Sequence, residues 1–344
     1  MDARFPAARR RGRTLPALLL ALVALTAAAC AGPAATPTPA PTAAPTVAPT
    51  ATLAPTPTPS PVAAFPITLT DDEGTTVDLK AEPRKIVSLT PAATETLFAL
   101  GLGDRVMGKV EDFTVYPPEA AGVPDVAKFG SVDVERIVAL GADLVIAGGS
   151  NFNPPEAITQ LRSLGVPTLV LFAPDVATAR KDIELIGTAT GTADKATSLT
   201  DAIGAAFDAV KAATAGLPAP RVFYELDASK GFFGPAPDYF GTEMIKVAGG
   251  EPLTSGTPGV YQIQAEQIVG FDPQVILLGD AAYGVTADQV AARPGWGTLA
   301  AVKEGAIRPI DDVIVTRPGP RLAEGIRALA LAIHPDLVLP SAAP

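Results

Sequence analysis

One short phrase of the sequence occurs twice, and this repeat limits the fold more than any other feature. The first copy, VDVERIVALGADLVI, covers residues 132–146, and the second, AEQIVGFDPQVIL, covers residues 265–277. The copies align at an offset of 131 residues (266 minus 135), which places Glu135 on Glu266, Ile137-Val138 on Ile268-Val269, Asp143 on Gln274 and Val145-Ile146 on Ile276-Leu277. Because that offset is the size of a small domain, the repeat predicts two equivalent lobes.

The order of the predicted elements favours an α/β fold. After a hairpin pattern, FPITLTDDEGTTVDLK, strands and helices alternate as RKIVSL, PAATETLFALG, RVMGKV, VERIVAL, DLVIAG, PEAITQLRSLG and PTLVLF. Residues 175–215 carry no strand pattern and indicate one or two long helices, with an interruption near Gly191; the alternation restarts at RVFYEL. Such alternation is typical of parallel sheets covered by helices. We predict lobes at 65–174 and 217–340, joined by a linking helix at 175–216.

The first residues have the pattern of an export signal. Residues 1–29 begin with an arginine-rich segment, which is followed by the apolar stretch LPALLLALVALTAAA. This stretch is shorter than a typical transmembrane helix, and its length is typical of a signal peptide. LTAAAC resembles a bacterial lipobox, although Ala27 stands where leucine is usual, so we predict that Cys30 is lipidated. The alternative is a stray cysteine near an ordinary cleavage site. The sequence leaves open whether export uses the general secretory or the twin-arginine route.

Residues 30–64 are rich in proline, threonine and alanine and contain no charged residue. A segment of this composition buries no core and stays extended. At about 3.1 Å per residue it would reach on the order of 100 Å. Signal, lipid anchor and tether together predict an extracytoplasmic protein that is held at the cell membrane by its lipid alone.

Charge and composition exclude several classes of function. The chain has a net charge of −10, and removal of residues 1–29, which hold five basic residues and one acidic residue, leaves 21 minus 35, or −14. Such a surface disfavours nucleic acid as a partner. One histidine and one cysteine cannot form zinc clusters, Cys–His pairs or Ser–His–Asp triads. We therefore predict a binding protein that is not an enzyme and has neither a cofactor nor a metal site.

The repeated glutamate has two interpretations. Asp133 has the character of a helix N-cap, so Glu135 would lie in the first turn, and Glu266 has the same relation to its own helix. An acid there gains about 0.3–1 kcal/mol from the helix dipole wherever it occurs. The second interpretation rests on the recurrence of the acid at the same place in both lobes. Each lobe would then present one negative charge, and the two charges together would bind a pseudo-symmetric partner.

Further motifs carry a resemblance to a known family. PRKIVSLTPAATETLFALGLGDRVMG, YPPE, VERIVALGADLVI, KVAGGEPL, EQIVGFDPQVILLG and RPGPRLAEGIRALALAIHP resemble, in order over about residues 65–338, the periplasmic binding proteins for cobalamin, haem and ferric siderophores. The resemblance implies two α/β lobes bridged by a long helix, with the ligand in the cleft between them. It also implies a monomer whose Glu135 and Glu266 engage arginines of an ABC permease dimer that works with an ATPase. A sensory binding protein that is not coupled to transport is the alternative.

The resemblance also implies the ligand contacts. Motif by motif, the positions that touch ligand in relatives are Phe113, Phe129, Phe152, Tyr261, Asp312 and Arg317. Any one phenylalanine can instead belong to the core, and Arg317 can instead be a surface residue beside a helix. As a ligand contact, Arg317 would clamp a carboxylate or a catecholate edge.

Three ligand classes stay open, and the residues rank them. Cobalamin-binding relatives line their cleft with tryptophan, whereas this chain has only Trp296, in a segment that favours packing. Haem-binding relatives ligate iron with tyrosine or histidine, which leaves Tyr261 or Tyr239. A bare metal ion needs several histidine or carboxylate ligands at one point. We therefore expect a ferric siderophore or related metal chelate first and a corrinoid second.

Overall fold

The computed structural model describes residues 65–341, so the predicted signal peptide (1–29), Cys30 and the tether (30–64) lie outside the described residues. The described chain begins with a hairpin of two antiparallel strands, β1 (Ile67–Thr70) and β2 (Thr76–Leu79). In the turn, the Asp71 carboxylate accepts hydrogen bonds from the backbone N–H groups of Glu73 and Thr75, at 3.1 and 2.7 Å. The DDEG pattern predicted this hairpin.

The first lobe is built on a six-stranded sheet. Its strands are β3 (Ile86–Ser88), β4 (Val106–Val110), β5 (Asp125–Lys128), β6 (Ser131–Val132), β7 (Leu144–Ala147) and β8 (Thr168–Val170). They lie in the order β6-β5-β4-β3-β7-β8, and all pairs are parallel except β5 with β6. The helices are α1 (Pro91–Ala99), α2 (Val134–Leu140) and α3 (Pro155–Ser163). The sequence predicted every one of these elements except β5, whose residues DVAK contain no apolar run, and β6, which has only two residues.

Two helices follow the first lobe, α4 (Val176–Thr190) and α5 (Ala193–Thr214). They pack against each other and meet at Gly191, which ends α4 in the left-handed conformation with φ of 72°. Glycine adopts that conformation without the penalty that other residues carry. The interruption predicted at Gly191 is therefore a helix end, and two helices rather than one fill the segment.

The second lobe is built on a four-stranded parallel sheet. Its elements are β9 (Arg221–Glu225), β10 (Phe232–Phe233), α6 (Phe240–Val247), β11 (Glu251–Pro252), β12 (Gln262–Ile263), α7 (Ala265–Phe271), β13 (Val275–Leu278), α8 (Ala287–Ala291), α9 (Ala300–Lys303), β14 (Ile307–Pro309), α10 (Asp312–Thr316) and α11 (Leu322–Ile333). The sheet order is β11-β9-β13-β14, and β10 pairs with β12 in a separate antiparallel ladder. The short elements β10, β11, β12, α8 and α10 were not predicted.

Helix α5 contacts both lobes. Its Lys195 Nζ donates to the carbonyl of Leu100 in the first lobe at 3.0 Å, and its other turns pack against α6 and α11 of the second lobe. One hydrophobic cluster runs through both lobes by way of α4 and α5, with Ile146 and Leu329 among its buried members. The predicted fold class, two parallel-sheet lobes joined by a long helix, is thereby confirmed.

Candidate functional site

The repeated phrase forms the same structural unit in each lobe. Helix α2 leads into β7, and helix α7 leads into β13. In the first lobe the Asp143 carboxylate accepts from the N–H groups of Arg84 and Lys85, both at 2.8 Å. In the second, Gln274 Oε1 accepts from the N–H of Arg221 at 3.1 Å. Each repeat therefore fixes the chain where it enters the first strand of its own sheet.

Glu135 and Glu266 occupy the second position of α2 and α7, and both are exposed. Asp133 caps α2 by accepting from the N–H of Arg136 at 2.9 Å, and Gln267 Oε1 caps α7 by accepting from the N–H of Gln264 at 2.8 Å. Because other side chains do the capping, the glutamates are not needed for it. Among residues 65–341, neither glutamate carboxylate has a hydrogen bond or an ion pair.

The predicted aromatic contacts of the first lobe lie in loops that follow the carboxyl ends of its strands. Phe113 follows β4 and is 93% exposed, while Phe129 follows β5 and is 76% exposed. Phe152 follows β7, and its ring meets that of Phe129 edge-on at a centroid distance of 6.1 Å. The structure thus brings Phe129 and Phe152 together, and places Phe113 on a separate loop at the same ends of the strands, where α/β sheets bind ligands.

In the second lobe the predicted contacts are Tyr261 and Asp312. Tyr261 is 39% exposed, and its ring lies 5.7 Å from that of Tyr239, whose hydroxyl donates to the Thr316 carbonyl at 3.2 Å. Burial, with Tyr261 adding to it, raises the pKa of Tyr239, and burial, with Asp238 adding to it, raises the pKa of Tyr261. The Tyr239 hydroxyl therefore already has a hydrogen-bond partner within the second lobe.

Asp312 is the first residue of α10 and is half-buried. Burial, and then the neighbouring Asp311, raise the pKa of its carboxyl group. Asp312 is thus less readily ionised than an exposed aspartate.

Arg317 has two carboxylate partners that the sequence did not suggest. Its Nη1 and Nη2 donate to the two carboxylate oxygens of Asp112 at 2.9 and 2.7 Å, and Nη1 also donates to Glu95 Oε1 at 2.8 Å. Glu95 lies on α1 and Asp112 in the loop after β4, so the guanidinium joins the second lobe to the first. The signal in the sequence that could have identified Glu95 is that it is the one acidic residue in PAATETLF, a segment otherwise made of small, apolar and uncharged residues. The sequence does not indicate which basic residue pairs with it.

Further aromatic rings occupy the same loops. Tyr116, Phe172 and Tyr283 are exposed and follow β4, β8 and β13, respectively. Trp296, in contrast, is buried against Phe223 and Phe232 in the core of the second lobe. The sequence predicted the packing of Trp296 but did not single out the three additional rings.

Across residues 65–341, no group of three or more histidine, cysteine or acidic side chains is arranged to hold a metal ion. His334 follows α11 directly, with its Nε2 3.3 Å from the Gly249 carbonyl. Over the same residues, no helix combines the length and apolarity needed to cross a membrane.

Comparisons with known proteins agree with this geometry. A family model described as periplasmic binding protein matches residues 86–313. The chain is 36% identical over 277 residues to an uncharacterised ABC transporter substrate-binding lipoprotein of Bacillus subtilis, covering 79% of this chain and 87% of that protein. It is 30% identical over 285 residues to a cobalamin-binding protein of Halobacterium salinarum, covering 79% and 75%. The apo structure of a periplasmic haem-binding protein of Roseiflexus superposes with a TM-score of 0.65 at 25% identity, covering 73% and 98%.

Proposed function

The chain belongs to the periplasmic binding protein family, extracytoplasmic binding proteins without catalytic activity that serve ABC importers for iron chelates, haem or vitamin B12, and from this premise we propose that it captures a corrinoid. The observation that carries the proposal is the set of exposed rings at the carboxyl ends of the strands, where Phe129 and Phe152 meet edge-on and Phe113 is 93% exposed. Rings of this kind supply the flat apolar contacts that a corrin macrocycle buries.

The charges near these rings also favour a corrinoid, whose periphery carries amides. Arg317 already donates to two carboxylates of its own chain, Glu95 and Asp112. An anionic ligand would have to compete with both of them for the guanidinium. The cobalamin-binding relative from Halobacterium salinarum, at 30% identity, supports the same ligand class.

A ferric siderophore, the ligand class that the sequence favoured, is the second candidate. Lys128 is exposed next to Phe129, and among residues 65–341 it has no ion pair. An ammonium group beside an exposed ring suits an anionic chelate. Haem ranks third, because the hydroxyl of Tyr239, one of the two candidate iron ligands, already donates to the Thr316 carbonyl.

The same proposal covers the partners of the chain. Glu135 and Glu266 are exposed and free of internal partners within residues 65–341, so they would dock on the permease dimer of an importer, with Cys30 as the lipid anchor. The chain would act as a monomer, with lobes at 65–174 and 217–340 around the linking segment 175–216. The B. subtilis relative, a lipoprotein, supports the anchor. A sensory role is the alternative, and transport measurements separate the two.

Thermal unfolding with candidate ligands tests the proposal. The purified protein is scanned against cobalamin, cobinamide, haemin, and ferric and iron-free siderophores. A ligand present at a hundred times its dissociation constant adds about 2.7 kcal/mol of stability. We expect stabilisation by cobalamin or cobinamide. Stabilisation by a ferric siderophore, with no effect of the iron-free form or of either corrinoid, would replace the corrinoid by the second candidate.

A further inference from the structure

We propose that Glu95 and Asp112 determine ligand specificity, because they occupy the guanidinium groups of Arg317 and Arg321 and thereby discriminate against chelates that carry free carboxylates. The inference rests on the proposed function, in which the cleft takes a metal chelate. It assigns a role to two acids of the first lobe that sequence analysis did not single out.

The Asp112–Arg317 pair adjoins the exposed residue Phe113 along the chain. Two parallel hydrogen bonds join the groups, and Nη1 of the same guanidinium also donates to the Thr114 carbonyl at 3.3 Å. The Asp112 carboxylate in turn accepts from the Thr114 N–H at 3.0 Å, which fixes the local turn. Phe113 lies between these two residues, so the chain segment that holds Arg317 is the one that presents the exposed ring.

Glu95 holds the second guanidinium. Its two carboxylate oxygens accept from Nε and Nη2 of Arg321, each at 2.8 Å, and one of them also accepts from Arg317. The Arg321 guanidinium lies over the ring of Tyr116, 4.0 Å from its centroid. Two carboxylates and two guanidinium groups therefore form one network with no net charge between the lobes.

This neutral network disfavours an anionic ligand for two reasons. The planar fork of a guanidinium matches a carboxylate best when two hydrogen bonds form, and Asp112 already supplies that match for Arg317. A ligand carboxylate that displaced Asp112 would leave the aspartate charge unpaired beside its own negative charge, and such like-charge contacts are a recognised source of specificity. An amide in the same position has no charge to be repelled.

Two corrinoids that differ in their peripheral groups test the inference. Cobinamide carries amides, whereas cobyrinic acid carries carboxylates on the same macrocycle. We expect the wild-type protein to prefer cobinamide. We expect Asp112→Ala to shift the ratio of the two dissociation constants about tenfold toward the acid, because the substitution removes the partner of Arg317 Nη2 and leaves only Nη1 bonded, to Glu95 and the Thr114 carbonyl. The more conservative Asp112→Asn, which keeps the side-chain volume but removes the charge, should shift the ratio in the same direction.

The matched control is Glu111→Ala. Glu111 is the exposed neighbour of Asp112, and its carboxylate has no ion pair among residues 65–341. Its removal changes the local charge equally but leaves Arg317 paired, so the ratio should stay at the wild-type value. An equal shift in Glu111→Ala, or an unchanged ratio in Asp112→Ala, would overturn the specificity role.

A third probe separates this inference from the proposed function. Haemin carries two carboxylates, and we expect Asp112→Ala to bind it more tightly than wild type or Glu111→Ala does. Failure of wild type to bind cobinamide would count against the corrinoid proposal alone. Failure of Asp112→Ala to gain affinity for haemin and for cobyrinic acid would overturn the specificity role, whichever chelate the wild-type protein takes.

Discussion

The Arg321 guanidinium donates two hydrogen bonds to the Glu95 carboxylate, Nε to Oε2 and Nη2 to Oε1, both at 2.8 Å. Glu95 lies on α1 of the first lobe and is only 2% exposed, while Arg321 immediately precedes α11 of the second lobe. Arg317 adds a third hydrogen bond to the same carboxylate. A buried acid of one lobe thus takes all its charged partners from the other lobe.

Removal of the Glu95 carboxylate should destabilise the fold strongly. Glu95→Ala leaves two largely buried guanidinium groups without this acid, and breaking a buried pair in this way costs about 3–5 kcal/mol. Chemical denaturation measures the loss. The control is Glu73→Ala, because Glu73 is well exposed and lies 3.4 Å from Arg162; an exposed pair contributes less than about 1 kcal/mol. Equal losses in the two variants would refute this view of the network.

Asp182 should make the stability depend on pH. It is buried on α4, and burial, followed by the nearby charge of Asp72, raises its pKa to about 8 from 3.8. Between these two values the folded state binds a proton that the unfolded state releases. Stability therefore falls as the pH rises through this window, by up to about 1.4 kcal/mol per pH unit from this group.

The neutral variant Asp182→Asn should flatten that dependence and raise stability at pH 8 and above. Denaturation curves at several pH values between 4 and 9 measure the slope. Asp201→Asn, on the exposed side of α5, removes an acid from the helix that packs against α4 and should leave the slope as it is in wild type. A slope in Asp182→Asn that matches wild type would mean that Asp182 is ionised in the folded protein at neutral pH.

Charge reversal at Glu135 and Glu266 should abolish uptake but leave ligand binding intact. Both acids are exposed in the first turns of α2 and α7, and we propose that they meet basic groups of the permease. The double variant Glu135→Lys/Glu266→Lys is compared with wild type in cellular uptake of the ligand and in its dissociation constant.

Glu156→Lys/Asp288→Lys is the matched control for that experiment. Glu156 and Asp288 are exposed acids in the first turns of α3 and α8, one in each lobe, but they lie outside the repeated phrase. The control changes the net charge by the same amount as Glu135→Lys/Glu266→Lys. It also places a lysine in the first turn of two helices, where a positive charge is unfavourable to the helix dipole. Normal uptake by Glu135→Lys/Glu266→Lys would contradict the docking proposal, and equal loss in both double variants would reduce it to a general charge effect.

Local patterns in the sequence were sufficient for most of the fold. Strands such as β7 and β13 are short apolar runs that are buried along their whole length, and Gly191 marks a helix end by its conformational freedom. Strand β5 escaped prediction because its residues DVAK contain no apolar run, and only Val126 is buried. Strand β6 escaped because it holds two residues, which pair antiparallel to β5 at the edge of the sheet. A strand that short is defined by its neighbour, and a single sequence does not reveal the neighbour.

The candidate site was less predictable because its contacts join distant parts of the chain. Glu95 and Arg317 are 222 residues apart, and Glu95 and Arg321 are 226 apart. No periodicity or spacing rule connects residues at such separations. The resemblance placed Arg317 near the ligand cleft, but only the packing of α1 against the segment after α10 shows which carboxylates the guanidinium meets.

The exposed aromatic pair should contribute directly to ligand affinity. Phe129 and Phe152 touch edge-on, and Phe129 is 76% exposed, so Phe129→Ala should cost little stability. Stacking contacts of this kind contribute about 0.5–1.5 kcal/mol, so we expect Phe129→Ala and Phe152→Ala each to weaken binding of the stabilising chelate by about twofold to twelvefold. Calorimetric titration of both single variants and the double variant measures the effect.

The double variant Phe129→Ala/Phe152→Ala tests whether the two rings act together in binding. Because the two rings contact each other, loss of one should also displace the other, and the two effects should not add. Leu164→Ala is the control, since Leu164 is exposed directly before the segment that enters β8, at the amino ends of the strands, whereas the rings follow the carboxyl ends of β5 and β7. Strictly additive effects would mean that the rings bind independently. Unchanged affinity in all three phenylalanine variants would move the ligand away from the carboxyl ends of β5 and β7, and the cleft assignment would fail with it.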